Sequence, residues 1–209
     1  MALTTYTELK ASLADFLNRD DLTTVIPDFI TLAESQINRD VRHWKMEARS
    51  SGQQSAADEY MQIPADWVET IRLHLTGTGT SAVNLISRDA MADKRQNNED
   101  TSGTPMYYTH ADSQFQLYPT PNAETDFELL YIQKLDALSD SNADNWLLLD
   151  SPDVYLYGAL LHSAPYLAED QRIAIWAQMY SASVQRLNEA SESARFSGSG
   201  LRLKIKGLG

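Results

Sequence analysis

Apolar residues recur at helical spacing in two long stretches of the chain, residues 25–42 and 151–196. In the first stretch they return on the same face at every turn, and Pro27 occupies a first-turn position that suits proline. The apolar positions are Ile26, Phe29, Ile30, Ala33, Ile37 and Val41. The pattern predicts an amphipathic helix, and the polar residues between these positions, Glu34 and Asn38 among them, are expected to face solvent.

A shorter helix is predicted before this one. Thr5 and Glu8 have the spacing of a capping box, in which each side chain accepts a hydrogen bond from the backbone of the other residue. Apolar residues then follow on one face, namely Leu9, Leu13, Phe16 and Leu17. We therefore expect a helix that begins after Thr4 or Thr5.

The second long stretch predicts two helices. Ser151 and Pro152 are typical of a helix start, with a serine cap followed by a first-turn proline. Residues 154–167 are apolar almost all round, so this helix should be the most buried one, and Pro165 is expected to bend or end it. The last predicted helix covers residues 171–194 and has the apolar stripe Ile173, Trp176, Ala177, Tyr180, Val184, Leu187 and Ala190.

Between these helical parts, the spacing changes to the alternation that is typical of strands. Residues 52–59 are small and polar, so we expect a loop there, and a short helix is expected to begin near Ser87. The predicted strands are residues 60–64, 67–75, 83–86, 105–110, 115–118 and 127–135.

Together these elements predict an α+β protein. We expect a mainly α-helical bundle of residues 1–44 and 136–196, into which a small antiparallel β domain of residues 45–135 is inserted. An extended C-terminal arm, residues 197–209, follows the last helix and begins with a Ser-Gly-Ser-Gly hinge. The length of 209 residues agrees with one domain that carries an insertion.

The composition excludes several classes of site. The chain contains no cysteine, so it has no disulfide, no thiolate zinc site and no cysteine nucleophile. No apolar run approaches the roughly 20 residues that span a bilayer, and the first residues lack the basic and apolar regions of a signal peptide. We therefore expect a cytosolic protein without a membrane partner.

Charge is distributed unevenly along the chain. The formal net charge is −12, and residues 195–209 carry four basic residues and no acid, a net charge of +4 that leaves −16 for the first 194 residues. Such an acidic body argues against a general affinity for nucleic acid, because that affinity depends on clustered lysine and arginine.

No pattern of catalytic residues stands out. The histidines are far apart and lack a metal-type partner at helical spacing; they are His43, His74, His110 and His162. The chain has neither a Gly-x-Ser-x-Gly turn nor a Gly-Lys-Ser/Thr phosphate loop. Asp66 with Glu69, or Asp58 with Glu59, could form a carboxylate pair for glycoside cleavage, but an acidic chain contains such pairs by chance. We predict no enzyme, no catalytic residue, no cofactor and no metal site.

Tyrosines on the predicted strands include Tyr107, Tyr108, Tyr118 and Tyr131. Packing between neighbouring strands favours aromatic residues and is the preferred interpretation. The alternative is a binding module, in which these rings form a stacking platform for a glycan or a cell-surface receptor.

The C-terminal arm alternates apolar and basic residues with a period of two. Such a segment cannot bury its apolar side within itself, so it suits strand addition to the sheet edge of another chain. The alternative is a disordered terminus. We predict that the partner-binding residues are Leu201, Arg202, Leu203, Lys204, Ile205 and Lys206.

The helical parts resemble a known family. Residues 5–10, Thr-Tyr-Thr-Glu-Leu-Lys, and residues 26–42, Ile-Pro-Asp-Phe-Ile-Thr-Leu-Ala-Glu-Ser-Gln-Ile-Asn-Arg-Asp-Val-Arg, are similar to tailed-bacteriophage head-to-tail adaptor (connector) proteins. Residues 151–160, Ser-Pro-Asp-Val-Tyr-Leu-Tyr-Gly-Ala-Leu, with Trp176 and Tyr180 downstream, resemble the same family.

The resemblance implies a structural virion protein without catalytic activity. Members of this family form a ring, commonly of twelve copies, that binds below the portal, extends the DNA channel and provides the attachment site for a tail tube or tail nozzle protein. Genomic DNA is then expected to pass through the lumen without sequence-specific binding. The resemblance also implies a place at the virion neck, assembly in the host cytoplasm, and an arm that reaches the portal or a neighbouring subunit. The alternative binding module would be a glycan- or receptor-binding part of a tail.

Overall fold

The structure is a computed structural model whose chain divides into two compact units. The helical unit comprises the described residues of Met1–Lys45 and Leu135–Gly209, and the sheet unit comprises those of Met46–Lys134. The residues that the structure describes are 3–77, 81–97, 101–167 and 171–196.

The described helices lie mainly before and after the strands in the chain, and one helix, α3, lies among the strands. The helices are α1 (Tyr6–Leu17), α2 (Ile26–Asp40), α3 (Arg88–Asn97), α4 (Trp146–Asp150), α5 (Pro152–His162) and α6 (Arg172–Phe196). Short 3-10 turns lie at Asp20–Leu22, Trp44–Met46 and Ala164–Tyr166. The strands are β1 (Glu47–Gln54), β2 (Tyr60–Gln62), β3 (Trp67–Leu75), β4 (Ser81–Leu85), β5 (Ser102–Gly103), β6 (Tyr107–Ala111), β7 (Gln114–Tyr118), β8 (Thr120–Pro121) and β9 (Thr125–Gln133).

Both N-terminal helices begin where their local sequence predicts. The Thr5 hydroxyl accepts a hydrogen bond from the Glu8 N–H at 3.3 Å, and the Glu8 carboxylate accepts one from the Thr5 N–H at 3.1 Å. These two bonds confirm the predicted capping box. α2 begins at Ile26 and carries Pro27 in its first turn, which is also confirmed.

α5 is the central helix of the helical unit, because it contacts α1, α2, α4 and α6. Its neighbours come closest at Gly158, where an added Cβ would lie 3.3 Å from the Ala33 Cβ and 3.2 Å from the ring of Tyr180. A larger residue at this crossing would require Ala33 or Tyr180 to move by a few tenths of an ångström. The buried side chains of α5 are Val154, Tyr155, Leu156, Ala159 and Leu160.

The two ends of α5 differ in how well the local sequence predicts them. α5 ends at His162, and Pro165 lies in the following 3-10 turn, as expected for a proline that cannot continue a helix. Ser151 precedes α5, but its side chain makes no capping hydrogen bond. Its N–H donates to the Leu147 carbonyl at 2.8 Å and so completes α4. The predicted start is therefore confirmed, with Ser151 in the N-cap position and Pro152 in the first turn, but the expected capping bond from the Ser151 side chain is not formed.

Seven strands of the sheet unit form one sheet, in the order β1-β9-β3-β4-β6-β7-β2. Neighbouring strands are antiparallel except for β4 and β6, which are parallel and are connected through α3. A parallel pair requires a crossover connection, and α3 supplies it. β5 and β8 form a separate, two-stranded parallel sheet.

The two edge strands of the large sheet are linked, so the sheet is nearly closed. Gln54 at the end of β1 is buried, and its Nε2 donates to the Asp58 carbonyl at 2.8 Å and to the Tyr60 carbonyl in β2 at 3.2 Å. The core of this unit is formed by Met61, Leu73, Leu75, Val83, Tyr108, Phe115, Leu117, Leu129 and Tyr131.

β1 joins the sheet although it has no apolar alternation of its own. Its sequence is Glu-Ala-Arg-Ser-Ser-Gly-Gln-Gln, and it pairs with β9 from Glu47 to Gln54. Gly52 lies opposite Phe127, whose ring is 3.0 Å from the position that a Cβ would take. The Phe127 ring on β9 therefore supplies the apolar contact that the side chains of β1 do not provide.

The predicted fold class is wrong. The structure is 46% helical and 26% strand, and its sheet is a large, nearly closed, barrel-like sheet of seven strands. It is therefore not a mainly helical bundle with a small antiparallel insertion. The sequence predicts a loop at residues 52–59 because β1, which includes residues 52–54, is mainly polar. The parallel pairing of β4 and β6 could not be predicted from local spacing. The predicted arm, residues 197–209, lies outside the described residues.

Candidate functional site

The histidines take part in local packing. His43 stacks on Trp146 with ring centroids 4.9 Å apart, and burial, followed by the charge of Lys45, lowers the His43 pKa. His74 Nε2 lies 3.4 Å from a carboxylate oxygen of Glu128. Both histidines are therefore accounted for by contacts within their own unit.

The other two histidines lie in partly buried positions. His110 packs against Phe115 at a centroid distance of 5.2 Å, and burial, followed by the charge of Arg88, lowers its pKa. His162 is half-buried on α5, and burial, followed by the charge of Arg39, lowers its pKa. Within the described residues, no three His, Asp or Glu side chains come together as a metal site.

The carboxylates considered for glycoside cleavage make structural contacts. Asp66 accepts a hydrogen bond from the Tyr131 hydroxyl at 3.0 Å, and Asp58 accepts one from the Tyr60 N–H at 3.0 Å. These bonds hold the connections around β2 and β3 in place.

Glu59 connects the sheet to α3. Its carboxylate lies 2.5 Å from the guanidinium of Arg95 and accepts a hydrogen bond from Gln116 Nε2 at 3.2 Å. Burial alone would raise the pKa of Glu59, but the hydrogen bonds from Arg95 and Gln116 hold it below its usual range. Glu59 is therefore charged, and it anchors α3 through an ion pair.

A polar cluster that the sequence analysis missed lies inside the helical unit. Glu34 in α2 is only 7% exposed, and its Oε1 accepts hydrogen bonds from the Leu138 N–H at 2.7 Å and from the Tyr155 hydroxyl at 3.3 Å. The Tyr155 oxygen accepts a hydrogen bond from Asn145 Nδ2 at 2.6 Å. Burial raises the pKa of Glu34. The cluster joins α2, α5 and the segment that leads into α4.

The prediction that Glu34 faces solvent is wrong. Glu34 follows Ile30 by four residues and precedes Ile37 by three, so it lies on the apolar face of α2. This position on the apolar face is the sequence signal that could have predicted the burial of Glu34. The bonding partners could not have been found in the same way, because the Leu138 N–H is 104 residues away in sequence.

A groove of about 550 Å³ lies in the sheet unit beside α3, β6 and β7. Its lining includes Tyr60, which is 40% exposed, together with Arg88 and Arg95. Arg95 is paired with Glu59, and Arg88 Nε donates to the His110 carbonyl at 2.9 Å. The groove therefore owes much of its shape to internal polar contacts.

Sheet packing accounts for the four tyrosines of the alternative binding module. Tyr108, Tyr118 and Tyr131 are buried, with 4%, 2% and 5% of their surface exposed. Tyr107 is half-buried, and Lys94 Nζ lies 4.2 Å from the centre of its ring. These rings therefore do not form an open platform.

A second groove, of about 420 Å³, runs along α6 in the helical unit, and we call it the α6 groove. Its lining residues are Asp40, Tyr180, Ser181, Val184, Gln185, Asn188, Glu189 and Glu192. Three of these residues are carboxylates, and none of these described residues is a lysine or an arginine. The Tyr180 hydroxyl donates to Asp40 at 3.0 Å, and burial, followed by the charge of Asp40, raises the pKa of Tyr180.

Large apolar side chains are also exposed on the helical unit. Ile175 and Met179 lie one turn apart on α6 and are 54% and 46% exposed. The others are Phe16, Leu32, Trp44, Leu149 and Tyr166. Adjacent exposed apolar residues are typical of surfaces that contact other proteins.

The predicted partner-binding residues, 201–206, lie outside the described residues. The last described element before them is α6, which ends at Phe196.

The described residues thus present two grooves and several exposed apolar side chains at the surface. Residues 4–203 match the family model of the SU10 adaptor protein. The chain belongs to this family, which is a family of bacteriophage head-to-tail adaptor proteins. The predicted resemblance is thereby confirmed.

Membership of this family has several direct consequences. The family is structural, its members interact with other virion proteins, and a location in the virion follows. None of the curated proteins matches the chain. Of the helices that the structure describes, none has the length and apolar character needed to cross a membrane.

Proposed function

We propose that this chain forms a ring at the neck of the virion, between the portal and the tail. The ring, of about twelve copies, binds below the portal, extends the DNA channel and provides the attachment site for a tail tube or tail nozzle protein. The observation that carries this proposal is the family match over residues 4–203. Exposed apolar residues such as Ile175 and Met179 offer surfaces on which neighbouring copies can pack.

The C-terminal arm is the part that we expect to attach each copy. The family match extends into it, as far as residue 203. Residues 201–206 would add as a strand to the sheet edge of the portal or of a neighbouring subunit, with the three apolar residues buried. The three basic residues would speed association with an acidic partner surface.

The acidic body of the chain suits a DNA channel. A channel must not bind the DNA that passes through it, and contacts from lysine or arginine to phosphate create the affinity that would retain DNA. With a net charge of −16 over the first 194 residues, the ring would repel the duplex. Genomic DNA then passes without sequence-specific binding.

Assembly would proceed in a fixed order, with the portal first, the adaptor ring second and the tail components third. Before it meets the portal, the protein would be a monomer in the host cytoplasm. This order ensures that the ring forms only where it is needed.

Light scattering tests the proposal through the mass of the protein, measured alone and then mixed with portal rings of the same phage. We expect a monomer alone and a stoichiometric ring of copies on each portal. The portal alone and the adaptor mixed with an unrelated acidic protein are the controls. A protein that stays monomeric in the presence of the portal would contradict the proposed function.

A further inference from the structure

The α6 groove follows one face of α6. Ser181, Gln185, Asn188 and Glu192 succeed each other at intervals of three or four residues, so they lie in a row along the helix. At a rise of about 1.5 Å per residue, this row is about 16 Å long. It leads toward the end of α6 at Phe196.

The groove combines apolar and acidic chemistry. Val184 and Tyr180, which are 8% and 3% exposed, form its apolar part. Its charged residues are Asp40, Glu189 and Glu192. A segment that fits this groove therefore carries both apolar and basic side chains.

The arm of this chain has that composition. Residues 201–206 alternate three apolar with three basic residues, and in extended conformation they span about 20 Å, close to the length of the groove. The hinge before them, residues 197–200, is Ser-Gly-Ser-Gly, which permits a reversal of the chain direction. A reversal there would bring residue 201 beside Glu192, and residues 205 and 206 toward Ser181.

We propose that residues 201–206 dock in the α6 groove of their own chain while the protein is free. Leu203 and Ile205 then rest on Val184 and Tyr180, and the long basic side chains reach the carboxylates along the groove. The docked arm cannot add to the sheet edge of another copy, so the free protein stays monomeric. Assembly on a partner requires the release of the arm.

The short connection to α6 favours docking of residues 201–206 in the groove of their own chain over docking in the groove of a second copy. Because four residues, 197–200, separate residues 201–206 from α6, the effective concentration of this segment at its own groove is on the order of millimolar. A second copy reaches that concentration only in very concentrated solution.

Disulfide cross-linking tests the docking, because the chain has no cysteine of its own. Gln185, which lines the groove and is exposed, and Leu203 are both changed to cysteine in the full chain. The control pairs Leu203→Cys with Ala190→Cys, since Ala190 is also exposed but lies about 140° around the helix from Gln185. Mass spectrometry and a non-reducing gel distinguish disulfides within one chain from those between chains.

We expect the disulfide within one chain to form at least about tenfold faster with Gln185→Cys than with Ala190→Cys. Equal rates for the two positions would overturn the proposal. Disulfides formed mainly between chains at micromolar protein concentration would overturn it as well, because the occupant would then be a second copy.

Charge reversal tests the role of the carboxylates on the same cysteine pair. Glu189→Lys with Glu192→Lys, or Lys204→Glu with Lys206→Glu, should each slow the reaction about fivefold, and combining all four should restore most of the rate. Circular dichroism verifies that each variant is folded. A rate that does not respond to any of these changes would contradict the proposal. The measurements use the free protein, so their result is independent of the proposed neck function, which light scattering with the portal tests separately.

Discussion

Glu34 is a buried carboxyl of the helical unit, so its protonation is expected to affect the stability of this unit. Burial raises the pKa of this carboxyl above its ordinary value of 4.5, so the folded protein binds the proton more tightly than the unfolded chain does. The contribution of Glu34 to stability is therefore complete at low pH. The free energy of unfolding falls as pH rises from the ordinary value through the raised pKa of the folded state.

Replacing Glu34 with glutamine should remove this pH dependence. The amide oxygen can still accept hydrogen bonds from the Leu138 N–H and the Tyr155 hydroxyl, but the side chain is never charged. We expect the free energy of unfolding of Glu34→Gln to equal or exceed that of the wild type at about pH 8 and to approach it at about pH 5. Urea denaturation at a series of pH values measures the difference.

Glu34→Ala is the matched control for this prediction. It leaves both donors without their acceptor and should lower the free energy of unfolding by about 1–3 kcal/mol across the pH range. If Glu34→Gln shows the same pH dependence as the wild type, then Glu34 is not the group responsible.

Gly158 sets how closely three helices approach each other. Alanine is a better helix former than glycine, by about 1 kcal/mol, but its methyl group would press on the Ala33 Cβ and on the Tyr180 ring. The Tyr180 ring is tethered by its hydroxyl to Asp40 and cannot easily rotate away. We expect Gly158→Ala to lower the free energy of unfolding by about 1–3 kcal/mol, measured by thermal or urea denaturation.

Gly77 provides the comparison for this substitution. A Cβ added at Gly77 would have no atom within 4 Å, so Gly77→Ala should change the free energy of unfolding by less than about 0.5 kcal/mol. Equal effects at the two glycines would show that helix packing is not the cause.

At the scale of elements, the closure of the sheet depends on Gln54. Its side chain supplies the hydrogen bonds from the end of β1 to Asp58 and to Tyr60 at the start of β2. Gln54→Leu leaves two carbonyl groups without this donor, so we expect amide hydrogen exchange to accelerate in β1 and β2 and to change little in β3 and β9.

Gln53→Leu is the neighbouring control, because the Gln53 side chain is exposed and its hydrogen bond to Asp126 lies at the surface. It should leave exchange in β2 unchanged. A uniform acceleration over the whole sheet in Gln54→Leu would instead indicate a general loss of stability.

Elements that depend on local signals could be predicted from the sequence. The capping pair of Thr5 and Glu8 places the start of α1, and the predicted strand at residues 67–75 is confirmed as β3. β1 could not be predicted, because its eight residues are mainly polar and its apolar contact comes from Phe127 on β9. Because β1 is absent from the prediction, the predicted sheet is smaller than the observed one.

At the scale of the whole molecule, the prediction concerns deletion of the C-terminal arm. Deleting residues 197–209 should leave both compact units folded, because all the described helices and strands end by residue 196. We expect the unfolding temperature to change by only a few degrees, whereas the truncated protein should no longer join the portal in light scattering. The loss follows because the residues proposed for strand addition are gone.

Deleting only residues 207–209 is the control, since residues 201–206 remain and binding should be retained. A protein without residues 197–209 that joined the portal at full efficiency would exclude the arm from attachment. The remaining candidate surface would then be the exposed apolar residues of the helical unit.

The sequence by itself determined where most helices begin, which residues form their apolar faces, and the family to which the chain belongs. Caps, prolines and helical periodicity act over a few residues, so they are visible without a fold. Only the tertiary structure decided which groups bond to Glu34, that β1 completes a sheet of seven strands, and that β4 and β6 are parallel. The free energy of a buried carboxylate or of a polar strand depends on partners that lie far away in the sequence, such as Leu138 for Glu34, and the fold alone brings those partners together.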